Sequence, residues 1–444
     1  MDGDLTKGPI MPSMMRFAVP MILGNLLQQC YNVADTLIVG KFLGSNALAA
    51  VGSAFTLMTF LTSILLGLCM GSGAVYSIRF GQRDEEGLTD SVCASFVLIG
   101  GLTILLNLAA FACLDGIRIF MQVPGEVWGH MREYLAVIFC GITATFLYNY
   151  AASFLRAVGN SVVPLVFLAV SSVLNILLDL WYVLGLGQGV AGAAKATVIS
   201  QYISGIGIVA YGLLRCPQLR AVRRHWSLRA ACIREIAGFS ILTCVQQSVM
   251  NLGILMVQGL VNSFGAVVMA AFAAAVKIDA FAYMPVQDFG NACSTFLAQN
   301  YGAREEGRIR KGLKGALAAS MGFCIVASIL VCVFARQLME LFIDSSETEI
   351  IQEGVRYLRI EGAFYWGIGC LFLLYGLYRA LGKPGMSVFL TVVSLGTRVA
   401  LAYALSAVPA FGVAGIWWSI PIGWVLADLA GMAYYLKNKG RFLG

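Results

Sequence analysis

Charge is scarce in this 444-residue chain. Asp, Glu, Lys and Arg make up 12% of it, against roughly a quarter in an average globular protein. Histidine is scarcer still: His130 and His225 both sit near loop edges, which argues against a histidine metal centre or histidine catalysis. The twelve cysteines stand singly, mostly inside apolar runs such as those holding Cys69, Cys140, Cys324 and Cys370, and no CxxC spacing occurs. Neither a disulfide framework nor a zinc site follows, and these thiols read as small hydrophobes packed between helices. GxSxG, a phosphate loop and a His/Glu metal motif are missing too, so the chain is not read as an enzyme. What is abundant is apolar: 59% of the residues are hydrophobic, and mean hydropathy is +0.81 over 47.6 kDa. A soluble chain of that kind would lack polar surface to cover its core. The composition excludes a cytosolic enzyme, a nucleic-acid binder and a disordered chain. It points to one polytopic helical bundle, at about 20 apolar residues per crossing.

Residues 1–15 are too polar for a cleavable signal, and the first apolar run is long enough to remain as a span. Twelve spans are expected at about 14–38, 47–78, 88–113, 130–155, 161–184, 190–214, 235–261, 266–298, 312–335, 354–378, 384–407 and 413–436. The net charge of +7 is accounted for by the positive-inside rule rather than by nucleic acid. With the N-terminus inside, the inner connections hold Arg79, Arg83, Arg156, the basic run from Arg215 to Arg234, Arg304 to Lys314, Arg379, Lys383, Lys437, Lys439 and Arg441. The outer ones offer Lys41, Arg118, Arg132, Arg336, Arg356 and Arg359. Both termini are therefore expected in the cytoplasm, with the protein in the plasma (cell inner) membrane.

An internal repeat divides the chain. Phe80-Gly-Gln-Arg-Asp-Glu-Glu-Gly87 returns as Tyr301-Gly-Ala-Arg-Glu-Glu-Gly307, Leu155-Arg-Ala-Val-Gly-Asn160 as Tyr378-Arg-Ala-Leu-Gly-Lys383, and Gly189-Val-Ala-Gly192 as Gly412-Val-Ala-Gly415. Offsets of about 220 to 223 residues define two halves of six spans. Six is even, so both halves enter the bilayer from the same side, as parallel repeats. The expected organisation is an N-terminal lobe over 1–214, a basic cytoplasmic linker over 215–234 and a C-terminal lobe over 235–444. The linker reads as a tether near anionic headgroups, worth about 1 kcal/mol per basic residue close to the surface.

Pro20, Tyr31-Asn-Val-Ala-Asp-Thr36, Gly40-Lys-Phe-Leu-Gly44 and Ala47-Leu-Ala-Ala-Val-Gly52 resemble the first two helices of multidrug and toxic compound extrusion (MATE) transporters. The Arg-Ala-x-Gly and Gly-Val-Ala-Gly blocks of both halves are similar to that family as well. The resemblance covers nearly the whole chain. It implies an all-α membrane protein of two six-helix lobes around a central cavity, and export of amphipathic, often cationic drugs or toxic metabolites in exchange for H⁺ or Na⁺. No cofactor beyond the coupling ion is expected. The partners are small-molecule substrates and membrane lipids, with the chain acting as a monomer.

The polar residues inside the spans lead to a similar place. Span one carries Asn25, Gln28, Asn32 and Asp35, three or four apart and so on one helix face. Span five carries Ser171, Asn175 and Asp179, and span six Thr197, Gln201 and Ser204. Such stripes face inward rather than towards lipid, and an intramembrane acid is a functional-site hypothesis by default. Asp35, Asn175, Asp179 and Thr197 would supply carboxylate, amide and hydroxyl oxygens, which suit hard cations, while two close carboxylates share a proton. The family's cation and proton site, a first-helix Asp, a fifth-helix Asn-x-x-x-Asp and a sixth-helix Thr, is matched at all four positions. Asn25, Gln201 and Ser204 read as interhelical hydrogen-bond glue.

The second half does not repeat this set: Arg398, Ala402 and Ile420 stand where Asn175, Asp179 and Thr197 would fall. Some family members carry carboxylates on spans seven and ten, where this chain has Gln246, Gln247, Trp366 and Gly367. It has instead Lys277, Asp279, Asp288 and Arg398, for which a structural ion pair and a role in substrate recognition or gating both stay open. Asp279 and Asp288, nine apart, fall on opposite helix faces. Glu361 and Asp428 are expected to snorkel at helix ends. Gln28, Asn32, Tyr148, Gln247, Tyr283 and Met284 join these four as candidate cavity or gating residues, and Pro20 and Pro285 as hinges. The alternative is a lipid-linked precursor flippase or a dedicated metabolite exporter of the same superfamily. A flippase would need basic residues in its cavity, with Lys195 the clearest candidate.

Overall fold

The structure, a computed structural model, describes residues 3–120, 123, 125–222 and 228–442. Arg223, Arg224 and His225 lie outside them. Helices α1 (Ile10–Leu43), α2 (Ser45–Gln82) and α3 (Glu85–Ala112) come first. The short α4 (Leu114–Phe120) leads to α5 (Gly125–Ile138), which passes through a 3₁₀ turn, Phe139–Gly141, into α6 (Ile142–Ala157). Then come α7 (Val162–Asp179), a π-helical stretch Leu180–Gly185, α8 (Gly189–Arg215) and the short α9 (Pro217–Val222). The second half runs α10 (Ala230–Asn262), α11 (Ala266–Gly302), α12 (Glu306–Val333) and α13 (Ala335–Glu340). It closes with α14 (Thr348–Gly362), α15 (Tyr365–Ala380), α16 (Pro384–Ser406) and α17 (Gly412–Phe442).

Among the described residues, eleven helical stretches are long and apolar enough to cross a membrane, and α14 with α15, bent by 51° at their break, makes a twelfth. The expected all-α architecture of twelve spans is what the chain adopts. The bend falls at residues 363–364, whereas α11 runs through Pro285 as one helix. The short α4, α9 and α13 were not foreseen, being too brief to show a period.

The repeated blocks have a backbone reason. Arg83 and Arg304 both adopt φ 58°, and Gly159 and Gly382 adopt 85° and 73°. Each closes a helix with the same bond pattern: Asp84 N donates to Arg79 O at 3.1 Å and Glu305 N to Asn300 O at 2.9 Å. Asn160 N donates to Leu155 O and Lys383 N to Tyr378 O, both at 2.8 Å. A left-handed residue lets the chain satisfy the last carbonyls while turning back, and glycine meets no Cβ penalty there. After the first of these turns Asp84 caps α3, its Oδ1 accepting from Gly87 N at 2.8 Å.

Two compact units emerge, one of Met1–Asp4 and Leu23–Cys244, the other of Leu5–Ile22 and Val245–Gly444. Helices α1 and α10 are each divided, at positions related by the repeat. In the first unit α9 lies beside α3. Arg229, just before α10, pairs with Glu86 and with Asp90 Oδ2, the latter at 3.1 Å. Those carboxylates hold its guanidinium above the usual arginine value. In the second unit the N-terminal strand of residues is clamped: Arg308 donates to Gly8 O at 2.8 Å and Leu5 O at 3.1 Å, and Gln299 Oε1 accepts from Leu5 N at 3.0 Å. The core of this unit stacks Phe272 on Trp417 at 5.4 Å, with Tyr357 edge-on to Trp417 at 4.9 Å. Helices α11 and α15 cross closely, because a Cβ on Gly376 would stand 2.6 Å from Gly290 O. Small residues are what permit such approaches inside a bilayer.

Candidate functional site

The polar stripe of α1 survives folding because its residues recur every third or fourth position on one face. Gln28 and Tyr31 are neighbours on that face, and Asp35, one turn further on, is partly buried. Helix α7 carries Asn175 and Asp179, 2% and 0% exposed, and α8 brings Thr197 against them. All of these belong to the first unit. Asp179 ends α7, and the π-helical stretch begins at the next residue. Such wide turns recur at functional sites because they re-aim the residues around them.

Asp35 and Asp179 come within hydrogen-bonding reach of each other. Asn175 links Asp179 to α8. With its amide nitrogen towards Asp179, it donates to Asp179 Oδ2 at 3.3 Å and accepts from Thr197 N at 3.3 Å and Thr197 Oγ1 at 3.2 Å. Asp35 Oδ1 and Asp179 Oδ1 are buried without a hydrogen-bond partner. Among the described residues neither carboxyl takes part in an ion pair. The sequence-predicted quartet is thus brought together, as an all-oxygen set of two carboxyls, an amide and a hydroxyl. Such oxygens fit a proton or a hard monovalent cation. Among the described residues no group of three His, Cys, Asp or Glu could hold a metal ion.

Sequence reasoning missed two neighbours. Tyr31 and the buried Tyr134 of α5 lie close enough to Asp35 and Asp179 to feel both charges. Tyr31 stood inside the α1 stripe, three residues from Gln28 and four from Asp35, so its spacing was a usable signal. Tyr134 was harder to find, since the residues one and two turns before it on α5, His130 and Glu126, are exposed and form no buried polar stripe with it.

The remaining candidates separate. Gln28 and Asn32 stay on the α1 stripe, both partly buried. Tyr148 donates to Pro164 O at 2.9 Å, joining α6 to α7. Gln201 accepts from Thr145 at 3.4 Å and Ser204 donates to Phe167 O at 3.1 Å, both between helices. Lys195 is exposed and donates to Gln188 at 2.9 Å. In the second unit Gln247 is buried, Lys277 exposed, Met284 half-buried, and Tyr283 stacked on Phe372 at 6.4 Å.

One expectation for the second unit needs correction. Glu361 and Asp428 do not snorkel: they are 3% and 6% exposed. Glu361 faces Asp279 across the α11–α14 contact, and Asp428 lies mid-helix beside Cys370. Of the readings left open for Asp279, an ion pair with Arg398 or Lys277 is absent among the described residues. Asp279 instead accepts from Tyr357 Oη at 3.4 Å and from Tyr365 Oη, neutral donors that cost less to bury than a cation. Asp288 is buried on the same helix.

The MatE family model matches residues 20–181 and 241–404. The chain belongs to the MatE family. As a MatE protein it is a membrane transporter, not an enzyme. It is 28% identical over 447 residues to "Probable multidrug resistance protein YpnP" of Bacillus subtilis (strain 168), covering 98% of this chain and 97% of the relative. It is 22% identical to "Multidrug export protein MepA" of Staphylococcus aureus (strain MSSA476), over 98% of this chain and 95% of that one. A crystal structure of MATE in complex with MaL6 superposes with a TM-score of 0.92 at 24% identity, over 99% of this chain and 98% of the other. An outward-facing multidrug resistance MATE family transporter of the MOP superfamily gives 0.91 at 24%, over 100% and 98%.

Proposed function

We propose that this MatE transporter is a secondary antiporter of the plasma membrane, both termini cytoplasmic. It exports amphipathic, often cationic small molecules in exchange for H⁺ or Na⁺, as a single chain, by alternating access of two six-helix halves. The observation that carries the reading is the meeting of Asp35 and Asp179 in the first unit, with Asn175 and Thr197 completing the oxygen set. Two carboxyls so placed cannot both stay ionised without a counter-charge, and a proton or one Na⁺ supplies it. The occupant shifts the conformational balance by no more than its difference in affinity for the two states. The names of the relatives, multidrug resistance and multidrug export, agree with this class of substrate. The flippase alternative has nothing comparable, its one base Lys195 being exposed and bonded to Gln188.

The test is a proteoliposome assay with a fluorescent lipophilic cation under pH and Na⁺ gradients imposed one at a time. One gradient should drive uptake or export in the wild type. Asp35→Asn and Asp179→Asn should each abolish the driven component while the protein inserts and folds. Gradient-driven transport retained in both variants would remove the assignment.

A further inference from the structure

The second unit has a cationic corner that the proposed coupling site leaves unused. It lies where α11 ends and α12 begins, and the chain ahead of α1 is held there by its backbone. Gln299 and Asn300 are fully buried and grip Leu5 from both sides. Gln299 Oε1 accepts from Leu5 N at 3.0 Å, and Asn300 Nδ2 donates to Leu5 O at 3.2 Å. Arg308 donates to Leu5 O at 3.1 Å, Lys7 O at 3.2 Å and Gly8 O at 2.8 Å. Its Nε donates to Asn300 Oδ1 at 3.0 Å, so the guanidinium is spent on neutral acceptors. Two turns further along α12, a Cβ on Gly315 would stand 3.2 Å from Met11 Cε. Residues 5–11 therefore run beside the first turns of α12, and that seam brings Lys7 to the helix that carries Lys311 and Lys314.

Lys7, Arg310, Lys311 and Lys314 are all exposed, and among the described residues Lys311 and Lys314 make no hydrogen bond or ion pair. The acids of this stretch, Glu305 and Glu306, sit at the turn, more than one helical turn before Lys311. In the first unit the matching face is covered. Counted from the paired corners Arg83 and Arg304, Thr89, Asp90 and Cys93 of α3 correspond to Arg310, Lys311 and Lys314. All three are buried: α9 lies against α3, and Arg229 Nε reaches Asp90 Oδ2 at 3.1 Å. One repeat closes this face with protein, and the other leaves it open and positively charged. Helix α12 has 28 residues and is about 42 Å long, against a hydrocarbon core of about 30 Å. Its first two turns therefore reach the headgroup layer. Further along the stripe of Lys314, Leu317 and Ile325 are 37% and 54% exposed, an apolar surface suited to acyl chains.

We propose that Lys7, Lys311 and Lys314 bind the phosphate headgroup of an anionic phospholipid, whose acyl chains lie along the exposed apolar stripe of α12. Arg308 is a positioning residue, since it fixes the backbone that presents Lys7. The site is independent of the coupling assigned to Asp35 and Asp179. A basic residue at headgroup level contributes about fivefold to affinity for anionic lipid. A zwitterionic lipid brings the same phosphate without net charge and gains little from the three lysines.

The test is native mass spectrometry of the full-length protein in detergent, titrated with phosphatidylglycerol or with phosphatidylcholine. The wild type should bind phosphatidylglycerol more tightly. Lys311→Gln and Lys314→Gln should each weaken it about fivefold and leave phosphatidylcholine unmoved. Lys7→Gln should do the same, and Arg308→Gln should match it, with no further loss when the two are combined. Arg336→Gln is the control: that arginine is exposed but paired with Glu340 at 2.9 Å, and its loss should change nothing. Melting of every variant is compared with the wild type, and exposed Lys→Gln changes should leave it unaltered. Equal affinity for the two lipids, or phosphatidylglycerol binding unmoved in Lys311→Gln/Lys314→Gln, would overturn the proposal. So would an equal loss in Arg336→Gln, or displacement of the lipid by millimolar inorganic phosphate, which would mark a site for free anions. Additive losses in Arg308→Gln and Lys7→Gln would refute the positioning role.

Discussion

Thr197→Val is the most discriminating perturbation of the first-unit site, because valine keeps the shape and removes one hydroxyl. Asn175 holds Asp179 Oδ2 at 3.3 Å only while its oxygen is fixed by Thr197, through N at 3.3 Å and Oγ1 at 3.2 Å. The hydroxyl is shared, since it also reaches Ala193 O at 3.2 Å. Valine leaves the backbone N–H in place and deletes the other anchor. A side-chain hydrogen bond between membrane helices contributes about 0.6 kcal/mol on average and at most about 1.7. Converted at 1.36 kcal/mol per decade, that is a loss of about threefold, up to about twentyfold, in affinity for the coupling cation. The assay is flux into proteoliposomes as a function of the driving cation at fixed substrate. The half-saturating concentration should rise by that factor, with maximal flux little changed, and Thr197→Ser should restore it. A Thr197→Val protein as dead as Asp179→Asn, or one indistinguishable from wild type, would refute the anchoring role.

Other perturbations test the fold and its edges. Gly376→Ala should cost about 1–3 kcal/mol of stability in detergent melts, as overpacking does, because the new methyl would stand 2.6 Å from Gly290 O. Gly101→Ala, which meets nothing within 4 Å, is the control, and equal melting of both would contradict the crossing. Arg304→Gly should stabilise by up to about 1 kcal/mol by relieving a left-handed residue, at φ 58°; an unchanged or lower melting temperature would speak against that strain. Asp344 accepts from Ser346 N at 2.9 Å and Ser346 Oγ at 2.7 Å, which lowers its carboxyl below 3.8. The contribution of this turn is therefore present above pH 3.8 and lost as pH falls through the lowered value. Ser346→Ala should move the Asp344 NMR titration back up towards 3.8, and an unmoved midpoint would exclude the bond.

Spans and repeat were legible because they rest on long-range regularities, runs of about 20 apolar residues and blocks that recur at a fixed distance. The first-unit quartet was legible for the same reason: Asn175 and Asp179 lie one helical turn apart, so their spacing alone puts them on one face. The second-unit pair was not, because Asp279 and Glu361 share no helix, and only the α11–α14 contact brings them together. Glu361 was misread because α14 ends at Gly362 and α15 starts at Tyr365. A helix end within the sequence became the middle of a bent span, where a charge has no interface to reach. The 51° bend between α14 and α15 sits at a break without proline, so no residue type marked it in advance.

The left-handed corners at Arg83 and Arg304, and at Gly159 and Gly382, separate two kinds of inheritance within one chain. Duplicated scaffolding stays recognisable wherever geometry tolerates few substitutes, while side chains that handle cargo or ions are free to diverge between the copies. When the chain is aligned with other transporters, a change at a corner therefore speaks only of folding. A change at residue 35 or 179 bears instead on the coupling proposed for the first unit.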